Sequence, residues 1–220
     1  GKEAIIDLLD TRISNAEKSF ANNLARDMYS DGTADGGKQI GGLQHIVSDA
    51  GTGTVGGIDA SSWSFWRNQA LTFTGLSLGS PSSSNIQTAM NEMWVRLVLN
   101  REHPDLIVAD NVFFLLYLSS LQAIQRITDD KLGQRGFQNV KFMGSDVVLD
   151  GGMGGAAPAS RMYFLNTNTI EWIAHKDRNA DVIGGERLPL NQDASVQVMG
   201  WMGNLATNNR RMNGVLSPGS

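Results

Sequence analysis

The chain has 220 residues, enough for one large domain or two small ones with a hydrophobic core that needs no covalent staples. Its formal net charge of −4 argues against wrapping nucleic acid as the main role, and the lack of cysteine excludes disulfides and thiolate metal sites. No apolar run approaches the roughly 20 residues that span a bilayer, and no charged-then-apolar leader indicates a signal peptide, so we expect no membrane partner.

The first segment predicts a long amphipathic helix from about Glu3 to about Tyr29. Apolar residues recur along it at steps of three and four, which places them on one face: Leu9, Ile13, Ala16, Phe20, Leu24 and Met28. A single long helix with one apolar face needs a wide surface to cover it, so we expect this stripe to be buried against a sheet. Replacing Phe20, at the middle of the stripe, with alanine should then cost about 3–5 kcal/mol.

A glycine-rich region follows, from Gly32 to Gly57, which we interpret as mobile loops around a short helix, Leu43 to Val47. Three aromatic side chains come next: Trp63, Phe65 and Trp66. An alternating stretch from Ala70 to Leu78 predicts a strand.

The middle of the chain alternates between helix and strand patterns. Ser80 to Ser84 is a linker, and Ser84 is expected to cap a helix from Asn85 to about Asn100. A buried strand, Asp105 to Ala109, and a helix, Asn111 to Ile127, complete a small α/β unit. The apolar run from Val112 to Leu118 indicates a buried helix, with a subunit contact as the alternative.

Strand patterns dominate the last third of the chain. We predict five strands: Val140–Met143, Asp146–Leu149, Arg161–Leu165, Thr169–Ala174 and Ala194–Trp201. A glycine-rich stretch, Gly151 to Pro158, is expected to be a flexible loop between two of them.

Two short patterns match catalytic or binding motifs by letter. Gly51, Gly53 and Gly56 have the dinucleotide-binding spacing, but no amphipathic helix follows to hold a pyrophosphate, so we interpret them as a mobile loop. Ser77 lies between Gly75 and Gly79 as in a nucleophile elbow, and His175 follows in hydrolase order. A helix should begin directly after such a serine, and Ser80-Pro81 intervenes instead.

The remaining polar residues give no metal or cofactor pattern. The three histidines are scattered, and we expect neither a metal site nor a cofactor. Arg210 and Arg211, in an asparagine-rich stretch, have two interpretations: solvated arginines in a strand or turn, or an inter-subunit salt bridge or lattice contact.

Three stretches together resemble a branch of the tailed-phage major capsid proteins with the Hong Kong 97-type fold: Val55–Asn68, Tyr163–Asn179 and Asn191–Val215. The resemblance covers nearly the whole chain. It implies an α+β fold with a long spine helix on a β-sheet, the peripheral domain, and a small α/β axial domain. The implied division is residues 1–82 peripheral, residues 83–170 axial, and residues 171–220 as strands returning to the peripheral domain.

The resemblance also implies a function without catalysis. Such subunits assemble with copies of themselves, as pentamers and hexamers, into the icosahedral shell of the virion after synthesis in the host cytoplasm. Scaffold, portal and packaged DNA, bound without sequence specificity, are the other implied partners. Candidates for inter-subunit contacts are Trp63, Trp66, Arg67, Arg178, Arg210 and Arg211. Members of this family carry an N-terminal arm and an extended hairpin before the spine helix, so we expect this chain, which begins almost at that helix, to be part of a longer one.

Two alternatives remain open. An encapsulin-like nanocompartment shell protein would have the same fold and a different cargo. A small serine hydrolase would use Ser77 and His175.

Overall fold

In the computed structural model, the described residues are 2–122, 140–151, 155–184 and 198–219. They form five helices: α1 Lys2–Asp27, α2 Ala34–Gly37, α3 Leu43–Ile46, α4 Ile86–Leu97 and α5 Asn111–Gln122. They also form ten strands: β1 Thr54–Val55, β2 Ile58–Asp59, β3 Gln69–Thr72, β4 Leu106–Ala109, β5 Val140–Phe142, β6 Ser145–Leu149, β7 Met162–Leu165, β8 Ile170–Val182, β9 Met199–Thr207 and β10 Gly214–Ser217. None of the helices in this part of the chain is long and apolar enough to cross a membrane.

A six-stranded mixed sheet forms the centre of the molecule. Its strand order is β3-β10-β7-β4-β6-β5. β10 runs parallel to β3, and β4 runs parallel to β6, while the other neighbouring pairs are antiparallel. β3 and β10 come from the predicted segments 1–82 and 171–220, so the sheet draws on all three segments of the predicted division.

The central strands of the sheet are buried on both faces. Along β4, Ile107 and Ala109 pack into one apolar cluster and Val108 into another, as the two-residue repeat of a strand requires. The same alternation separates Phe164 from Tyr163 on β7. A central strand that is covered on both faces has a continuous run of apolar residues. The sequences of β4 and β7 are therefore apolar throughout and do not alternate with polar residues.

Helices α4 and α5 cover the first face. α4 packs on β3 and β10, and α5 packs on β4 and β6. The apolar positions of α4 are buried at helical spacing: Ile86, Ala89, Met90, Met93 and Leu97. Both predicted helices are confirmed within the described residues, although residues 123–127 of the second lie outside them.

The start of α4 differs from the prediction. Asn85, and not Ser84, occupies the N-cap position, and its side chain makes no cap hydrogen bond. It donates instead to the carbonyls of Leu78 and Ser80 at 2.9 Å each, so it fastens the preceding serine-rich loop to the helix. The predicted strand before this loop is shorter than expected. It ends at Thr72, because the chain turns there and Leu76 N–H bonds to the Thr72 carbonyl at 3.0 Å.

The second face is covered by α3, by β9 and by the residues after α1. Its buried cluster includes Tyr29, Leu43, Ile46, Tyr163 and Leu205. Gly42 lies against the end of α1 so closely that a Cβ atom there would approach the Met28 carbonyl oxygen to 2.3 Å. This close approach allows Leu43 N–H to donate to the same carbonyl at 2.7 Å. The bond fixes the C-terminal end of α1 against the start of α3.

Helix α1 confirms the predicted span but not the predicted burial. Ile13 is 40% exposed, Met28 is 38% exposed, and Phe20 is only half-buried. The expectation that a sheet of the same subunit covers this stripe is therefore wrong. Periodicity predicts an apolar face, and it does not say which surface covers that face.

Strands β8 and β9 form a separate two-stranded antiparallel ribbon. Its register shifts between Ala174 and Asn179, because the residues from His175 to Arg178 bulge out opposite Met202. Both strands run beyond the predicted ends, and residues 194–197 of the predicted second strand lie outside the described part. Strand β10 was not predicted.

Candidate functional site

The segment between β2 and β3 presents aromatic rings to solvent. Trp63 is 57% exposed and Phe65 is 59% exposed, with ring centroids 6.0 Å apart. Trp66 is half-buried, and its indole Nε1–H donates to the Val55 carbonyl at 3.0 Å. We call Trp63, Phe65 and Trp66 the aromatic loop. Adjacent exposed rings of this kind make a contiguous apolar patch, which typically marks an interaction surface.

Hydrogen bonds fix the backbone of the aromatic loop on its outer side. Arg67 folds back over the loop, and its Nε–H and Nη2–H donate to the carbonyls of Ala60 at 2.8 Å and Ser61 at 3.1 Å. The Ser61 backbone N–H, and then the Ser62 hydroxyl, stabilise the Asp59 carboxylate and lower its pKa. The exposed rings therefore stand on an ordered turn.

Arg210 fixes the same region from inside. Its side chain is fully buried, and its guanidinium donates to the Ile46 carbonyl at 2.6 Å and to Asn68 Oδ1 at 2.9 Å. Two further bonds of 3.2 Å each reach the carbonyls of Thr52 and Gly53. Burial lowers the pKa of Arg210, and no carboxylate pairs with it within the described ranges.

The position of Arg210 differs from both interpretations of the sequence. A guanidinium with no exposed surface is neither a solvated arginine nor free to contact a neighbouring subunit. Arg211, the next residue, is exposed, and Arg178 is exposed in the β8 bulge. Trp63, Trp66, Arg67, Arg178 and Arg211 stay predictions as contact residues, and only the first three lie in one segment.

A second apolar surface is a pocket of about 380 Å³ beside the end of α1. Its walls come from α1, the second face of the sheet and the β8–β9 ribbon; they include Met28, Leu43, Val108, Leu165, Trp172 and Leu205. Met28 and Trp172 remain 38% and 39% exposed, so the pocket opens to solvent beside them. We call this cavity the α1 pocket.

The α1 pocket contains one acidic side chain, the half-buried Asp150. Its Oδ2 accepts a hydrogen bond from the Tyr29 hydroxyl, and its Oδ1 accepts one from the Ala156 N–H at 3.3 Å. Burial, and then the bond to Asp150, raise the pKa of Tyr29. Local sequence patterns contain no signal for this pair, because 121 residues separate Tyr29 from Asp150.

The Tyr163 hydroxyl lies close to the same region. It is buried and has no hydrogen-bond partner among the described residues, while burial raises its pKa. Nearby, Arg161 Nε–H donates a hydrogen bond to Asp49 Oδ2 at 2.9 Å, and this bond raises the pKa of Arg161. The Arg161–Asp49 pair lies on the same side of the sheet as the second face.

The structure does not bring the candidate hydrolase residues together. Ser77 lies in the turns after β3 with φ of 58°, but the next helix begins only at Ile86. His175 lies on the β8–β9 ribbon, where its Nδ1 accepts from the Asp177 N–H at 3.2 Å. Within the described residues no hydrogen bond joins Ser77 to a histidine.

The glycine motif is part of a hairpin. β1 and β2 pair through Gly56 and Gly57, which have φ of 61° and 80°, and no helix follows to hold a pyrophosphate. In the part of the chain that the structure describes, no group of three or more histidine or acidic residues is arranged to hold a metal ion.

Among known proteins, only solved structures match this chain. No protein-family model matches the chain, and no curated protein matches it. Among solved structures, a chain of the capsid asymmetric unit of cyanophage A-1(L) is similar, with a TM-score of 0.66 and 18% sequence identity. The match covers 96% of this chain and 69% of that chain. At this identity the likeness establishes a shared fold, and the predicted mixture of helices and sheet is confirmed.

Proposed function

We propose that this chain is the major capsid subunit of a tailed phage, with the Hong Kong 97-type fold. Copies of it assemble as pentamers and hexamers into an icosahedral shell that encloses the phage DNA. The observation that carries the proposal is the fold shared with a cyanophage capsid chain over 96% of this chain. Because fold alone does not fix function, the surfaces of the subunit must carry the rest of the case.

Exposed apolar surface supports self-assembly. The α1 stripe and the aromatic loop are open in the single subunit, and on α5 Val112 is 43% and Leu115 59% exposed. Monomeric proteins rarely leave several such surfaces open, because each adds a tendency to aggregate. In a shell, neighbouring copies cover them, and each subunit sums many moderate contacts. For the apolar run from Val112 to Leu118, the exposed face with Val112 and Leu115 favours the alternative of a subunit contact.

The β8–β9 ribbon supports the same proposal. In a two-stranded sheet each strand has one edge without a partner, and such an edge readily pairs with another chain unless it is blocked. The bulge from His175 to Arg178 lies in the pairing with β9, and it bends β8 at a stretch that includes three charged residues. A bulged, charged edge restricts pairing to partners that match it, which suits a lattice with fixed neighbours.

The topology refines the proposed domains. We assign α1 and the β8–β9 ribbon to the peripheral domain, and the six-stranded sheet with α4 and α5 to the axial domain. β3 and β10 then belong to the axial domain, although the division at residues 82 and 170 placed both outside it. Scaffold, portal and DNA remain further partners in the proposal, and the virion is the proposed location.

Electron microscopy of the full-length protein under assembly conditions tests the proposal. Closed shells or rings of five and six subunits are the expected result. Shells that hold nuclease-protected DNA in infected cells favour the capsid, and shells that hold a protein cargo favour the nanocompartment alternative. Labelling of Ser77 by a serine-reactive probe, with loss of labelling in His175→Gln, would support the hydrolase instead.

A further inference from the structure

Trp63 has the properties of a preformed contact residue. Its indole is 57% exposed, and its Nε1–H has no hydrogen-bond partner among the residues that the structure describes. The backbone below it is fixed by the bonds from Arg67 and Arg210 to the carbonyls on either side of the β1–β2 hairpin. Because the backbone is already ordered, less conformational entropy is lost when the ring docks than if the whole loop had to become ordered.

The α1 pocket has the complementary properties. Its volume of about 380 Å³ is large enough for one aromatic side chain, and its walls are almost entirely apolar. Its one acidic group, Asp150, accepts two hydrogen bonds, so lone pairs remain free, because a carboxylate accepts about four. An indole is a flat apolar ring with a single N–H donor, and the pocket offers apolar walls and a single anionic acceptor.

We propose that Trp63 of one copy of this chain inserts into the α1 pocket of a second copy, with its indole N–H donating to Asp150. Trp63 does not line the pocket of its own chain. The inference rests on the proposed function, because a second copy is the partner that self-assembly supplies. It goes further by naming the residue, the cavity and the acceptor that meet.

The loop of one copy meets a different surface of the next copy, so two arrangements satisfy the contact. Two copies can exchange it reciprocally across a two-fold axis, or each copy can contact the next in a head-to-tail ring. In an open head-to-tail chain, one end copy keeps a free aromatic loop and the other keeps a free pocket until the ring closes. The head-to-tail arrangement is the one that the rings of the proposed function require.

Site-specific cross-linking tests the contact directly, because the chain has no cysteine of its own. Ser64→Cys places a thiol beside Trp63, and Ala21→Cys places one on α1, one turn before the pocket residue Ala25; both positions are exposed. The two single-cysteine chains, one of them isotopically labelled, are mixed and treated with a short bis-maleimide reagent. Mass spectrometry should show a link between the two different chains.

Two substitutions then test the fit. Trp63→Ala in the Ser64→Cys chain, or Ala25→Trp in the Ala21→Cys chain, should lower the yield of linked chains at least about tenfold, as loss of a central contact residue does. Val95→Ala, which shortens an apolar side chain 71% exposed on α4, is the matched control and should leave the yield unchanged. Circular dichroism and thermal melting confirm that each variant is folded.

The outcomes separate this contact from the proposed function. If sedimentation velocity shows association of the chain, but neither Trp63→Ala nor Ala25→Trp changes the cross-link or the association, the proposed function stands and the contact is wrong. If the chain does not associate at any concentration or salt condition, both the proposed function and the contact fail. Retained association with Asp150→Leu, which has no acceptor, but not with Trp63→Ala would keep the insertion and overturn the role of the carboxylate.

Discussion

The six-stranded sheet and helix α1 use similar apolar residues in opposite ways. On the sheet, Phe164 has no exposed surface, because α4 and α5 cover one face and α3 with β9 covers the other. On α1, Ile13 is 40% exposed and Phe20 is only half-buried, so the described part of the subunit leaves much of the stripe uncovered. The comparison separates residues that stabilise the subunit from residues that remain available for contacts between subunits. Substitutions in the two regions should therefore differ in which equilibrium they shift.

The largest effect on stability is expected in the sheet. Phe164→Ala should lower the free energy of unfolding by about 3–5 kcal/mol, because it leaves a cavity at the centre of a packed core. Urea denaturation of the isolated subunit measures the change. Val95→Ala, at a position 71% exposed, is the control and should change it by less than about 0.5 kcal/mol. Similar values for the two variants would mean that the sheet is not the core.

Arg210→Leu should cost about 2–4 kcal/mol, since it removes four buried hydrogen bonds, three to backbone carbonyls and one to Asn68. Thermal and urea melts measure the loss. The neighbouring Arg211→Leu removes an exposed arginine and should be almost neutral. If both arginines proved neutral, the buried position of Arg210 would be wrong.

Two adjacent tyrosines should give a smaller change in stability, and each variant is the control for the other. Tyr29 and Tyr163 have ring centroids 6.2 Å apart, and only Tyr29 has a hydrogen-bond partner for its hydroxyl in the described residues. Tyr29→Phe should destabilise the subunit by about 1 kcal/mol, whereas Tyr163→Phe should be neutral or stabilising. Chemical denaturation measures the free energy of unfolding of both variants. A greater loss of stability in Tyr163→Phe than in Tyr29→Phe would contradict the hydrogen bonds assigned to the two hydroxyls.

On α1, Phe20→Ala should lower subunit stability by less than about 1 kcal/mol. The lost contacts are few, because the ring is half-exposed, and alanine favours the helix more than phenylalanine does. Sedimentation velocity should nevertheless show weaker association between copies. If Phe20→Ala lowered the free energy of unfolding of the monomer by about 3–5 kcal/mol, Phe20 would be buried as the sequence predicted. The contrast between α1 and the sheet would then not hold.

The smallest expected effect is a dependence on pH. Burial, and then the positive charge of Arg210, lower the pKa of His45. The unfolded chain then binds a proton near pH 6.5 that the folded chain still rejects, so stability should fall as the pH drops below about 6.5. The fall ends below the lowered pKa of the folded state. His45→Asn should remove this part of the pH dependence, and an unchanged slope in urea melts between pH 7 and pH 5 would rule it out.

The regular elements were predictable because their patterns are local. α1, α4 and β4 follow from apolar spacing along their own residues, and the structure confirms their positions. β10 escaped prediction because Gly214–Ser217 is short, has no alternation and follows polar residues. β8 was predicted too short because its polar bulge ends the apolar pattern, although the strand resumes beyond it.

The candidate contact surfaces were less predictable, because they depend on residues far apart in the chain. The family resemblance named Trp63 and Trp66 as contact candidates, but nothing in the sequence around them predicted that Trp63 and Phe65 are exposed. The burial of Arg210 was not, since its acceptors lie between Ile46 and Asn68 and nothing near Arg210 indicates them. The α1 pocket likewise combines residues of α1, the sheet and the β8–β9 ribbon, which only the folded chain brings together.

The place of β10 in the sheet has a consequence for synthesis on the ribosome. β10 lies between β3 and β7, and β3 has no other partner among the described strands. A nascent chain that has emerged as far as β9 still has two open strand edges where β10 will insert. Closing the sheet requires a contact between distant parts of the sequence, which slows folding. The central sheet therefore becomes continuous only after β10 has emerged from the ribosome.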